Sequence, residues 1–286
     1  MTEASVCLLG ARSMLGKRLA AMLIKAQFRV DAVTRADSAP ADMESLPGLV
    51  WHTVRPPMPL PQSDILVSMM PLWELPNYLA QCPESVKRLI SFSSTSRLAK
   101  SDSPDPQERK LAAMLADAEE KVAAWAKARG IPWVILRPTM IYDEGKDKNV
   151  TAVANFIRKF GFFPIVGKGS GLRMPVYAED LATAVLQILQ HSDLPLNYYN
   201  LSGKDSITYR EMVVRIFEAL GKKPRIVHLP EAGLTCAIRC LRLLSRFRHL
   251  TPGIAVRMQK DQAFSSDDAV RDFAYAPRSF HPVFTH

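Results

Sequence analysis

Near the start of the chain stands the stretch Ser5-Val6-Cys7-Leu8-Leu9-Gly10-Ala11-Arg12-Ser13-Met14-Leu15-Gly16, and the fold turns on how it is read. Ser5 to Leu9 is a short apolar run of strand length, and Gly16 to Gln27 carries the pattern of a helix. Between them Gly10 permits a tight strand-to-helix turn, and Gly16 lets the helix approach the sheet closely. A helix that opens at such a turn offers unpaired backbone N–H groups and the positive end of its dipole to an anion.

Working outward, short apolar runs keep alternating with helical patterns, which predicts parallel strands joined by crossover helices. Phe28 to Thr34, Leu49 to His52, Ile65 to Ser68 and Arg88 to Phe92 are the next expected strands. A long helix is predicted from Pro106 to Arg129, a stretch with eight alanines and no internal Gly or Pro; Gly130 ends it. Trp133 to Leu136 is the sixth strand. Beyond it, helices are expected over Val150–Phe160, Ala178–Gln190 and Thr208–Leu220, with a short strand at Tyr198–Leu201. The fold class is therefore α/β, a Rossmann-type doubly wound parallel sheet with a smaller C-terminal lobe. The expected division gives residues 1–145 to the sheet domain, with 172–202 returning to it, and 146–171 and 203–286 to the lobe. In that context Gly10, Arg12, Ser13, Met14, Leu15 and Gly16 form a cradle for a dinucleotide pyrophosphate. Ser13 takes the place where a third glycine is usual, and its hydroxyl is a further donor to phosphate.

Composition sets bounds on the rest. Hydrophobic residues make up 48% and charged residues 23% of 286, the balance of an ordinary globular protein. No run is apolar for the roughly 18 residues that a spanning helix needs. The N-terminus lacks the pattern of a secretory signal, and Cys7, Cys82, Cys236 and Cys240 show no metal spacing. Reduced thiols and a cytoplasmic location are the expectation. The net charge is +9, and Lys204 to Lys260 holds 12 Lys/Arg against 4 Asp/Glu. Such a lobe either attracts an anionic ligand or is simply a solvated basic surface.

Further motifs carry a family resemblance. Gly10 to Gly16 resembles the GxxGxxG loop of extended and atypical short-chain dehydrogenases/reductases, the group of NAD(P)-dependent epimerases and dehydratases. Ile90-Ser91-Phe92-Ser93-Ser94-Thr95 resembles that family's fifth strand and its active-site hydroxyls. Ile135 to Tyr142, with Leu136-Arg137-Pro138 inside it, is similar to the segment bordering the nicotinamide. Pro175 to Ala182 and Asn200 to Gly203 match two later motifs, so the resemblance covers roughly residues 5–220. It implies cofactor contacts from Met69, Pro138 and Met140 besides the loop, and a catalytic place for Thr95 with Ser94 beside it.

The second strand ends Ala32-Val33-Thr34-Arg35, with no carboxylate at its tip. A carboxylate there would serve NAD, whereas a guanidinium can grip the 2′-phosphate of NADP, so Arg35 and Arg12 favour NADP. Either they do this or they are ordinary surface arginines, and Asp37 keeps NAD possible. The family's Tyr-x-x-x-Lys pair is missing. Its expected positions hold Leu111 and Leu115, and no Tyr stands between Tyr78 and Tyr142. Glu108 and Glu119 share the helix face of Leu111 and Leu115; Glu108 is either a substitute acid/base or a solvated helix glutamate, Tyr142 is a further candidate, and a lone hydroxyl at Thr95 cannot act without a base.

Two function classes follow. One is an NADP(H)-dependent epimerase, dehydratase or reductase for a nucleotide-, phosphate- or lipid-linked sugar, with a sugar diphosphate as the anionic ligand. The other is a catalytically inactive NADPH-binding sensor or assembly subunit. Leu234 to Leu250 carries Arg239, Arg242 and Arg246 on one helical face; it either touches an anionic membrane or covers the lobe. Nucleic acid is not an expected partner, because the segment has few aromatics for stacking.

Overall fold

A computed structural model describes residues 4–37, 47–230 and 258–284. Seven parallel strands form the central sheet: β1 (Ser5–Leu9), β2 (Arg29–Thr34), β3 (Leu49–Thr53), β4 (Ile65–Ser68), β5 (Arg88–Phe92), β6 (Trp133–Pro138) and β11 (Tyr198–Leu201). Their order is β3-β2-β1-β4-β5-β6-β11, so the direction of winding reverses between β1 and β4. In such sheets ligands bind outside the carboxyl ends of the strands at this reversal. Val6 lies opposite Ile65 on one side, and Ser5 opposite Arg29 on the other.

The strands are apolar on both faces because helices cover both, as parallel sheets require. On one face α1 (Met14–Lys25) packs against α6 (Ala178–Leu189), through Leu15, Leu19, Leu23, Leu181 and Val185. On the other, α4 (Pro106–Ala128) lays Leu115, Ala118 and Val122 over Leu9, Leu66 and Ile135. A single 3-10 turn, Leu72–Glu74, runs into the short α2 (Leu75–Leu79) beneath α4. The sequence pattern missed this turn and α2, which together span only two helical turns. Another short helix, α3 (Ser96–Ala99), follows β5.

A second cluster lies beyond the sheet. It is built on β7 (Ile141–Tyr142), α5 (Val150–Phe160), β8 (Phe163–Val166) and α7 (Tyr209–Ala219). Here β7 pairs with β10 (Val176–Tyr177), β9 (Leu172–Arg173) with β12 (Ile207–Thr208), and β8 with β13 (Ile226–Leu229). The expected lobe of 203–286 is not followed throughout. Helix α8 (Asp267–Phe273) and Tyr275 pack into the core of the main sheet, with Phe273 edge-on to Tyr199. The segment Leu234 to Leu250 lies outside the described residues. Among the described residues no helix is long and apolar enough to cross a membrane.

Candidate functional site: a crevice at the sheet's reversal point

Helix α1 begins two residues earlier than its sequence suggests, because Ser13 caps it: Ser13 Oγ accepts from Gly16 N at 3.0 Å. The cap uses the hydroxyl as an acceptor and leaves its O–H able to donate. Met14 and Leu15 occupy the first helical positions, where backbone N–H groups have no intrahelical acceptor. Both glycines are needed for the same closeness. Gly10 has φ +79°, and a Cβ there would sit 2.8 Å from Met70 N. At Gly16 a Cβ would collide with Gly10 O and lie 2.8 Å from Ala11 Cα. The turn is therefore compressed between β4 and the first turn of α1. That compression is what aims the helix end at the crevice.

A cavity of about 210 Å³ opens at this point and brings together Gly10, Arg12, Ser13, Arg35 and Met69 from the sequence expectations. This is less than a drug-sized ligand usually occupies. Glu74 and Tyr78 line it as well, and the sequence reading did not include them. A signal was available, since the loop after β4 must border the crevice once the strand order is known. Of the remaining expected contacts, Leu15 buries its side chain in the sheet core, and Met14 packs against it. Those two residues have only their N–H groups to offer. Pro138 is buried, and Met140 packs its side chain into the second cluster.

Arg35 is paired: its Nη1 lies 3.0 Å from Glu74 Oε2. Asp37 is turned to Arg55, at 2.7 Å, and is almost fully exposed. The backbone between them is pinned, with Arg55 Nε donating to Arg35 O at 3.0 Å and Thr53 Oγ1 to Ala36 O at 3.1 Å.

The hydroxyls after β5 are engaged within the protein. Thr95 is buried and donates to Pro138 O at 3.1 Å; Ser94 Oγ accepts from Ser96 N at 3.1 Å. Leu115 is 3% exposed, within the α4 core contact, and Leu111 is half-buried beside it. Glu119 is buried too. It accepts from Ser93 Oγ at 2.6 Å and from Arg137 Nε at 2.9 Å, and Arg97 Nε lies 2.8 Å away. Glu108 accepts from Ser103 Oγ at 2.7 Å. Tyr142 lies in the second cluster, where burial pushes its phenol up to about 12, out of reach of base chemistry at neutral pH. Among the described residues no group of three or more His, Cys, Asp or Glu side chains is placed to hold a metal ion.

Residues 72–202 match the family described as NAD dependent epimerase/dehydratase. This segment belongs to that family. The likeness of fold to solved structures reaches beyond that segment. UDP-glucose 4-epimerase from Thermotoga maritima, solved with UDP-glucose, superposes with a TM-score of 0.69 at 13% identity, covering 96% of this chain and 93% of that one. UDP-glucuronic acid 4-epimerase from Bacillus cereus, with UDP-glucuronic acid and NAD, gives 0.70 at 14%, covering 96% and 94%. Thermus thermophilus UDP-glucose 4-epimerase with NAD gives 0.59 at 17%, covering 80% and 88%. At these identities the likeness is one of fold. A curated relative of another kind is 34% identical over 98 residues: the mitochondrial NADH dehydrogenase [ubiquinone] 1 alpha subcomplex subunit 9 of Arabidopsis thaliana. That match covers 34% of this chain and only 24% of the relative.

Proposed function

We propose that this epimerase/dehydratase-family chain binds NADP(H), and that holding the dinucleotide, rather than turning it over, is its task. The residues present suit such a ligand: a capped helix N-terminus over a glycine turn, and an arginine at the tip of β2 where NAD sites carry a carboxylate. When bound, the nicotinamide supplies hydride chemistry; the chain's own residues would hold the phosphates and the adenosine end. The observation that carries the non-catalytic part is Leu115, sealed into the sheet–α4 core where the family's lysine would stand. Thr95 and Glu119 fit the same reading, since each is already committed to a partner inside the protein. The relative named as a subunit of a larger dehydrogenase suits an assembly or sensor role.

A second reading has its own support. The solved epimerases hold UDP-sugars on the same fold, so a nucleotide-linked sugar is the substrate class for an enzyme reading. A single experiment separates the two. The protein is titrated with NADPH and NADH under thermal denaturation, then incubated with NADP+ and a panel of UDP-sugars deuterated on their carbinol carbons. The binding reading expects a raised melting temperature with NADPH, by mass action, and no transfer of deuterium. Deuterium appearing on the nicotinamide, or a new sugar epimer, overturns it in favour of the enzyme.

A further inference from the structure

The crevice contains a carboxylate that an NADP site would not be expected to carry. We propose that Glu74 sets the cofactor preference by competing with a 2′-phosphate for the Arg35 guanidinium. The inference rests on the NADP(H) reading above and deepens it.

Arg35 and Glu74 meet at 3.0 Å from opposite sides of the cavity mouth. Arg35 comes from the tip of β2, on a backbone pinned by Arg55 and Thr53. Glu74 comes from the 3-10 turn after β4, anchored by Leu72 and Leu75, which are 1% and 0% exposed. Both backbones are fixed, so the ion pair is the movable part. A second hollow of about 430 Å³ lies beyond it, lined by Pro56, Pro57 and Pro76, and it shares Arg35, Glu74 and Tyr78 with the first. The pair is thus the partition between the two spaces.

Asp37, the carboxylate nearest to Arg35 in sequence, is held by Arg55. Among the described residues lining the crevice, Glu74 is then the acid that the adenosine ribose would meet. To a ribose with a free 2′-hydroxyl it is an acceptor, and Arg35 need not move. To a 2′-phosphate it is a like charge sitting on the cation the phosphate requires. The side chains are 64% and 29% exposed, and a pair so open to solvent is weak enough to be displaced. NADP therefore binds by exchanging one anion for another on Arg35. The residual repulsion handicaps it relative to NAD. Glutamine at position 74 would keep the hydrogen-bond acceptor and remove the charge.

The test is calorimetric titration of the full chain and its E74Q, R35Q and E74Q/R35Q variants with NADPH, NADH, adenosine 2′,5′-bisphosphate and 5′-AMP. In E74Q, NADPH and the bisphosphate are expected to bind about tenfold more tightly, from one removed like charge a few ångströms away. NADH and 5′-AMP should stay within about twofold. The gain should change in the R35Q background, where the contested cation is gone, and shrink at high salt. An unchanged NADPH affinity in E74Q, with the wild type binding NADPH well, overturns the role of Glu74 and leaves the cofactor reading standing. Marked weakening of NADH in E74Q overturns it too, because the carboxylate's charge would then be what holds the ribose of an NAD site. If the wild type binds neither dinucleotide, the cofactor reading falls and this inference with it.

Discussion

Single residues decide the site in two different ways, by steric closeness and by charge. Gly16 represents the first. Its missing Cβ is what lets the loop backbone lie on the first turn of α1. Gly16→Ala is expected to weaken NADPH binding at least tenfold, while costing about 1–3 kcal/mol of stability, as overpacked positions do. Calorimetry and urea denaturation of the same preparation check both effects. Glu119 represents the second. It neutralises Arg137 and Arg97 in a pocket where its own side chain is 2% exposed. Glu119→Ala leaves two guanidinium groups facing each other, so the expected loss is about 3 kcal/mol or more. In thermal denaturation this would be a drop of roughly 6–12 °C. A change under about 1 kcal/mol would mean that the arginines find other acceptors.

At the scale of elements, the sequence was informative wherever burial imposed a period. The strands from Ser5–Leu9 to Trp133–Pro138 and the helix Val150–Phe160 lie where apolar spacing places them, because each, apart from the part-exposed edge strand Leu49–Thr53, is buried against the sheet or the second cluster. The two-residue strands at Ile141, Leu172, Val176 and Ile207 are too short to show any period, and the sequence pattern misses them. The site was legible in part for the same reason. Glycines and a capping serine announce a turn locally, but Glu74 reaches Arg35 only through the sheet order, across 39 positions of sequence. Helix α4 shows the limit most clearly. Its sequence sets Leu111 and Leu115 at the positions expected for the family's pair, but does not show that position 115 is sealed. Because it is sealed, installing the pair should fail structurally. Leu115→Lys places an ammonium among Leu66, Leu72 and Leu75, and an expected cost of about 3 kcal/mol or more follows. Leu111→Tyr, at a half-buried position, should cost less than about 1.5 kcal/mol. Urea midpoints of the two single variants test the contrast. A stable Leu115→Lys protein would show that this face of α4 can open to the crevice.

The whole molecule is tied together by its final segment, which crosses from the sheet core to the second cluster. Tyr275 donates to Ser202 O at 3.0 Å, Arg278 Nε to Asp180 at 2.7 Å, and Phe280 stands edge-on to Tyr142. Asp205 is the junction. It accepts from Arg215 Nη1 at 2.6 Å and from Phe280 N at 3.1 Å. Burial alone would raise its carboxyl, but the hydrogen bonds from Arg215, Phe280 and Ser279 outweigh this and hold it below the ordinary value of 3.8. A carboxyl depressed in the folded state lends stability above its unfolded pKa, and that stability is lost as pH falls through the folded one. The contribution of Asp205 should therefore be complete at pH 7 and disappear below about pH 4. Asp64 and Asp272 are depressed as well and titrate in the same range, so the wild-type curve alone does not isolate the junction. The difference from Asp205→Asn does. Urea midpoints of the two proteins should be well separated at neutral pH and converge in acid. A gap that stays constant down to pH 3 would mean that the Asp205 charge does not hold the final segment in place.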